Sequence, residues 1–192
     1  MNPLRGPSAP SDVGNDVVDR IRDGDVAAFE QLFRSSHASL LAFATSYLRD
    51  PARGEELVQE LFLELWTKRA QWNVTGNVRS YLFAAVRHRA LNTRRRDLLE
   101  LDWIESEGIE SIGTLHATPP LAGEESERAE LHDQVHRAIE LLPERCRLVM
   151  QLRWRDGLAY AEIAQVMGIS LKGVENQLGR GLRALRERLL RT

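Results

Sequence analysis

The sequence predicts an all-α protein of two small helical domains joined by a flexible acidic linker. Three observations carry that expectation. Leu, Ala, Arg and Glu dominate, while aromatic residues make up only 6%. Apolar residues recur at helical spacing, with no strand-like alternation. Charge is also segregated: Lys and Arg against Asp and Glu gives +2 over residues 1–97, −7 over 98–128 and +3 over 129–192. The formal net charge of −2 is therefore an average over two basic segments and an acidic connector.

A chain of 192 residues suits two domains of this size. Cys146 is the single cysteine, so no internal disulfide is possible and a reducing compartment is expected. No apolar run reaches the ~18 residues that span a bilayer, and the first residues lack a signal-peptide core. A soluble cytoplasmic protein is the expectation.

Residues 1–14, rich in Pro, Ser and Gly, read as a disordered tail. Over 15–97 the spacing predicts four helices. Two cover about 15–36 and 37–49. The third opens at Asp50-Pro51, an N-cap followed by proline in the first turn, and runs to about Ala70. The fourth starts near Asn77, a plausible cap, and ends near Arg96. Residues 98–127 combine Gly108, Gly113, Pro119, Pro120 and Gly123 with acidic side chains, which reads as a linker with a short helical start. Helices resume over about 128–141, 143–155, 159–167 and 170–190.

The last two helices form the pattern of a duplex reader. Ala164, Gly168 and Val174 supply the small, left-handed and apolar positions that a helix-turn-helix requires, and Ser170 can cap the second helix. Val174, Leu178, Leu182, Leu185 and Leu189 form its core stripe. Lys172, Asn176, Gly179, Arg180 and Arg183 fall on the opposite side. Asn176 and Gln177 have amides suited to base edges, and Lys172, Arg180 and Arg183 suit phosphates. Glu175 would repel phosphate, so it should either accept from a cytosine amine or pair with a neighbouring Arg.

The segment 54–69 is too apolar for the outer helix of a small bundle. Leu57, Leu61 and Leu65 form one row, and Val58, Phe62 and Trp66 a second. Either both rows are buried, or the second, bordered by Glu55, Glu56, Gln59, Glu60 and Glu64, docks a basic partner. The next helix holds Arg79, Arg87, Arg89, Arg94, Arg95 and Arg96 with no acidic residue between them. Phe83 falls on its basic side. With the amide-rich loop 71–77, which carries Trp72, Asn73 and Asn77, this suits a single strand whose bases stack and hydrogen-bond. Trp72 as a core residue is the competing reading.

In order and spacing, DPARGEELVQELFLELW, VRSYLFAAVRHRALNTRRR, LPERCRLVMQLRW and YAEIAQVMGISLKGVENQL resemble the extracytoplasmic-function sigma factors of the sigma-70 family. The resemblance covers about residues 15–97 and 128–190. It implies that 15–97 corresponds to sigma region 2 and 128–192 to region 4, with 98–127 as the linker. Glu56, Gln59, Glu60, Phe62 and Trp66 would grip the coiled coil of the largest polymerase subunit. Trp72, Asn73, Asn77, Arg79, Phe83, Arg87, His88 and Arg94 would hold the −10 element as a single strand. Lys172, Gly173, Glu175, Asn176, Gln177, Gly179, Arg180 and Arg183 would read the −35 element as duplex, with region 4 seated on the polymerase flap.

The resemblance also implies a membrane-associated anti-sigma factor as a partner, and no cofactor. Two readers about two helical turns apart need a separation of roughly 70 Å, and an extended 30-residue linker reaches on the order of 100 Å. Gly54 stands where the family usually has Ala, which implies a cost of up to ~1 kcal/mol in helix stability.

His132 and His136 are spaced like half of a zinc-protease motif, but Asp133 stands where that motif has Glu and no third ligand is evident. No nucleophile–base pair or phosphate-binding glycine loop is present, so no enzymatic activity or small-molecule substrate is expected. A stand-alone helix-turn-helix regulator would instead bind duplex tightly without polymerase. A sigma mimic that only sequesters an antagonist would lack the arginines of 79–96.

Overall fold

The structure, a computed structural model, describes residues 16–74, 76–106 and 138–189, with side chains to Leu99 and from Ala138 to Arg188. All regular elements among them are helical. Two compact units result, one holding the helices up to Ser106 and the other those from 138 onward. The expected tail, most of the expected linker and the pair His132/His136 lie outside the described residues.

In the first unit, α1 (Asp16–Arg22) buries Val17, Val18 and Ile21. α2 runs unbroken over Val26–Leu48, so the boundary expected between 36 and 37 is corrected to Asp23–Asp25. Asp25 is the reason. Its Oδ1 accepts from Ala28 N at 3.0 Å, and Arg20 holds the other oxygen at 2.6 Å. The Ala28 amide and then Arg20 keep this carboxyl below its usual range. Nothing comparable interrupts the helix at 36–37, where Ser36 is buried.

α3 (Pro51–Thr67) begins as expected: Asp50 Oδ1 accepts from Ala52 N and Arg53 N at 2.9 and 3.2 Å. A 3-10 turn follows at Arg69–Gln71. α4 begins at Val78, where Asn77 Oδ1 accepts from Arg79 N at 2.8 Å, and continues to Ser106. The end expected near Arg96 is thus ten residues short. No Gly or Pro stands between Gly76 and Gly108, and Arg53 of α3 pins Asp97 at 2.8 Å beyond that expected end. The core is an aromatic seam: Phe43 packs edge-on to Phe83 and Tyr47, and Phe33 to Phe62, with ring centroids 4.9–5.3 Å apart.

In the second unit, residues 138–140 are helical and α5 covers Glu144–Met150, followed by a wide turn at Gln151–Arg155. α6 (Tyr160–Met167) and α7 (Leu171–Leu189) form the helix-turn-helix. Gly168 sits at φ 60°, the left-handed turn anticipated for it, and Ile169 N donates to Ala164 O at 3.1 Å. Ser170 Oγ accepts from Gly173 N at 3.0 Å, completing the cap. Val174, Leu178 and Leu185 are buried, but Leu182 is 45% exposed. Gly181 takes the inward place instead: a β-carbon there would strike Met150 Sδ. α7 therefore approaches α5 closely at 181, and that rotates 182 outward.

Candidate nucleic-acid interface

On α3, Glu56, Gln59 and Glu60 are exposed, whereas Val58, Leu61 and Phe62 are buried and Trp66 is half-buried. Trp66 lies 5.0 Å from Phe29, with the Arg69 guanidinium 4.4 Å above its ring. Both apolar rows thus serve the core, and Phe62 offers no docking surface in this conformation. The apolar side chain that does face outward is Leu63, 68% exposed. It completes the stripe Glu56–Gln59–Glu60–Leu63 at helical spacing, a signal lost when only the two apolar rows are counted. Beside it, Glu55 accepts from Gln59 at 2.8 Å and pairs with His37 of α2 at 3.0 Å. The Gln59 bond, more than His37, keeps Glu55 below its usual range.

The residues expected to hold a single strand divide into two sets. Phe83 is 1% exposed and lies against Phe43, so its place on the basic side is corrected to the core. Asn77 is committed to capping α4. Arg87 donates through Nε to Tyr47 Oη at 3.1 Å. Arg79 is half-buried, 5.9 Å from the Phe83 ring, and Arg94 is half-buried. Trp72 is 5% exposed, with its ring 5.9 Å from Tyr81. Its burial favours the core reading over free stacking.

Trp72, Asn73 and His88 nevertheless meet along one cleft of about 640 Å³ between the end of α3, the 71–73 turn and α4. Glu64, Lys68, Gln71, Tyr81, Arg89 and Asn92 complete its polar lining. Gln71 and Arg89 belong to the loop and helix expected to hold the strand, whereas Glu64 and Lys68 lie outside that segment. Asn92 lies one helical turn beyond His88, their side-chain nitrogens 3.4 Å apart, so spacing along α4 could have found it. Glu64 and Arg89 pair across 25 positions, which no local pattern announces. The arginines of α4 are accordingly not all uncompensated. Among the described residues, the buried Trp72 Nε1 has no hydrogen-bond acceptor.

On α7, Lys172, Glu175, Asn176, Arg180 and Arg183 are exposed. Glu175 pairs with Lys172 at 3.0 Å rather than with the neighbouring Arg expected for it. Gly173 and Gly179 are partly exposed. Gln177 differs from expectation: its Oε1 accepts from Cys146 Sγ at 2.9 Å, so its carboxamide turns toward α5 rather than outward. Burial pushes the Cys146 thiol up, and nearby Arg180 opposes the shift. Among the described residues no cluster of three His, Cys, Asp or Glu side chains could hold a metal. No described helix is long and apolar enough to cross a membrane.

The geometry defines a two-module protein whose described elements are all helical, with a cleft beside an arginine-rich helix and a helix-turn-helix carrying exposed cations. The sigma-70 region 2 model matches residues 32–98 and the sigma-70 region 4 model matches 132–185, together more than half of the chain. The chain belongs to the sigma-70 family of RNA polymerase sigma factors, in its extracytoplasmic-function group.

It is 28% identical over 180 residues to the RNA polymerase sigma-H factor of Pseudomonas aeruginosa, covering 88% of this chain and 90% of that protein. It is 26% identical over 175 residues to the ECF sigma factor SigK of Mycolicibacterium vanbaalenii, covering 89% and 86%. In fold it is similar to the sigma factor RpoE of Bartonella quintana, solved with the anti-sigma factor NepR (TM-score 0.64, 22% identity, 85% of this chain and 98% of that one). CnrH, solved with the cytosolic domain of CnrY, gives a TM-score of 0.60 at 22% identity, covering 91% and 96%. The function of the chain is that of its family: promoter-specific initiation of transcription with RNA polymerase.

Proposed function

We propose that residues 15–97 act as region 2, gripping core polymerase through α3 and seating an unpaired base of the −10 element, while 128–192 act as region 4 and read the −35 element as duplex. The observation that carries this reading is the cleft. It brings Trp72, Asn73 and His88 together with further amides and cations. A flipped base supplies acceptors at its edge and a π-face for the surrounding rings. On α7, Asn176, Arg180 and Arg183 are the outward groups suited to a major groove, with Gln177 set aside by its bond to Cys146.

Core polymerase and promoter DNA are the working partners. Region 4 would sit on the flap, and residues 98–127 would tether the two readers. The protein acts without a cofactor and is not itself an enzyme; the bond-forming chemistry belongs to the polymerase, which makes the site of action cytoplasmic. A membrane-associated anti-sigma factor is the regulator this reading assigns. The solved complex of RpoE with the anti-sigma factor NepR supports an anti-sigma partner; its membrane association rests on the family resemblance alone.

Run-off transcription with core polymerase, the full chain and a promoter fragment tests the reading, with permanganate reactivity of the −10 thymines as the opening signal. Asn73→Ala and His88→Ala alter exposed cleft residues. They should reduce opening more than initial binding. A permanganate pattern identical to that of the unaltered chain would overturn the cleft assignment.

A further inference from the structure

The rim of the cleft carries a charge arrangement that base seating alone does not account for. Glu64, near the end of α3, accepts from Lys68 Nζ at 2.7 Å through Oε1, and from Arg89 Nη2 of α4 through Oε2. All three side chains line the cleft and all reach solvent, at 42%, 66% and 28% exposure for Glu64, Lys68 and Arg89. Lys68, and next Arg89, hold the Glu64 carboxyl down to about 2. It is an anion at neutral pH. An ammonium and a guanidinium closing on one anion is the arrangement that a phosphodiester also makes. Carboxylate and phosphate therefore compete for the same donors.

We propose that Glu64 is an internal stand-in for a backbone phosphate: it occupies Lys68 and Arg89 until the phosphate flanking a captured base displaces it. This rests on the reading of the cleft as the seat of an unpaired base. Two unopposed cations at the rim would attract any single strand, because phosphate contacts carry no sequence information. With Glu64 in place, a strand takes over these donors only when a seated base holds its phosphate against the competing carboxylate. Glu64 thus acts as a specificity-determining residue by penalising the wrong partner. A merely structural ion pair predicts the opposite sign, since loosening Arg89 would weaken binding of every strand.

The test uses holoenzyme assembled from core polymerase and the full chain. Its probes are two fluorescent 12-nucleotide single strands: the non-template −10 region of the promoter used for run-off, and a scrambled version. Salt titrations compare the unaltered chain with Glu64→Gln, Glu64→Asp and Glu64→Gln/Arg89→Gln. Glu64→Gln should bind the scrambled strand several-fold more tightly and steepen the log–log salt slope by ~0.7–1.4, or one to two phosphates on a single strand. Glu64→Asp, which keeps the charge but shortens its reach, should fall between, and the double variant should return toward the unaltered slope. A slope unchanged or shallower in Glu64→Gln overturns the inference, as does a Glu64→Asp slope equal to that of the unaltered chain if the Gln variant fails to fold. An unaltered holoenzyme that does not distinguish the two strands would instead overturn the cleft reading itself, and the inference with it.

Discussion

Gly54 of α3 faces Thr45 of α2 so closely that a β-carbon at position 54 would lie 2.8 Å from Thr45 Oγ1 and 3.2 Å from its backbone nitrogen. The glycine expected to cost helix stability is therefore what lets the two helices meet. Gly54→Ala would gain up to ~1 kcal/mol of helix propensity but crowd a backbone atom, an overpacking cost of about 1–3 kcal/mol. The net change should be destabilising, lowering the unfolding temperature of the full chain by a few degrees in a thermal melt. Gly54→Ala/Thr45→Ala removes the hydroxyl contact and should recover part of the loss. A melt raised by Gly54→Ala alone would mean that helix propensity outweighs packing here.

The sequence made local features legible and tertiary ones obscure, for physical reasons. Caps at Asp50 and Asn77 and the Gly168–Ser170 turn are hydrogen bonds between near neighbours, so adjacent residues announce them. Asp25 is the same kind of signal, masked because the apolar pattern continues across 23–25. Periodicity assigns faces, but not how many faces find neighbours; hence the second row of α3 and Phe83 proved to be core. Arg89 looked free because its partner Glu64 lies on another helix, and Gln177 looked outward because Cys146 stands 31 positions away. Spacing alone places Leu182 inward, because it does not register that Gly181 permits a closer approach.

α6 begins with half of a cap. Glu162 Oε2 accepts from Ala159 N at 2.6 Å, but Ala159 has no side-chain oxygen to return a bond to the amide of 162. Its backbone is already extended, at φ −70° and ψ 156°, and the residue is exposed. Ala159→Ser should complete the reciprocal pair and stabilise the second unit by about 1 kcal/mol, read as a higher denaturant midpoint at unchanged slope. An unchanged midpoint would show that water already serves that amide equally well.

Acid should weaken the first unit through Glu64. Its carboxyl falls from an ordinary 4.5 to about 2 on folding, chiefly through Lys68 and then Arg89. A lowered folded-state value contributes stability that is complete above the unfolded value and lost as pH falls from about 4.5 toward 2. Solvent screening keeps the contribution small for so exposed a group. Glu64→Gln should flatten the stability–pH curve below pH ~4.5 and leave its neutral-to-alkaline shape unchanged. Equal curves for both proteins across that acid window would show that the pair contributes nothing to folding.

Docking on polymerase and stability of the first unit should separate along α3. Leu63 is 68% exposed, with Glu56, Gln59 and Glu60 on its side of the helix, so it supplies apolar area only when a partner covers it. Trp66 already packs on Phe29 and lies under Arg69, so much of its area is spent within the chain. Leu63→Ala should weaken co-elution with core polymerase by roughly 10-fold or more, consistent with ~1.4 kcal/mol or more for an interface anchor, and leave the melting temperature unchanged. Trp66→Ala should lower the melting temperature by several degrees, with any loss of polymerase binding following from that. If Leu63→Ala left binding intact while Trp66→Ala abolished it without affecting the melt, the outward stripe would be an ordinary solvated face and the half-buried indole the true anchor. Glu60→Ala adds a further discriminant. An acidic rim on a basic partner should change the association rate and its salt dependence more than the dissociation rate, and kinetics of holoenzyme assembly at two ionic strengths would read that difference directly.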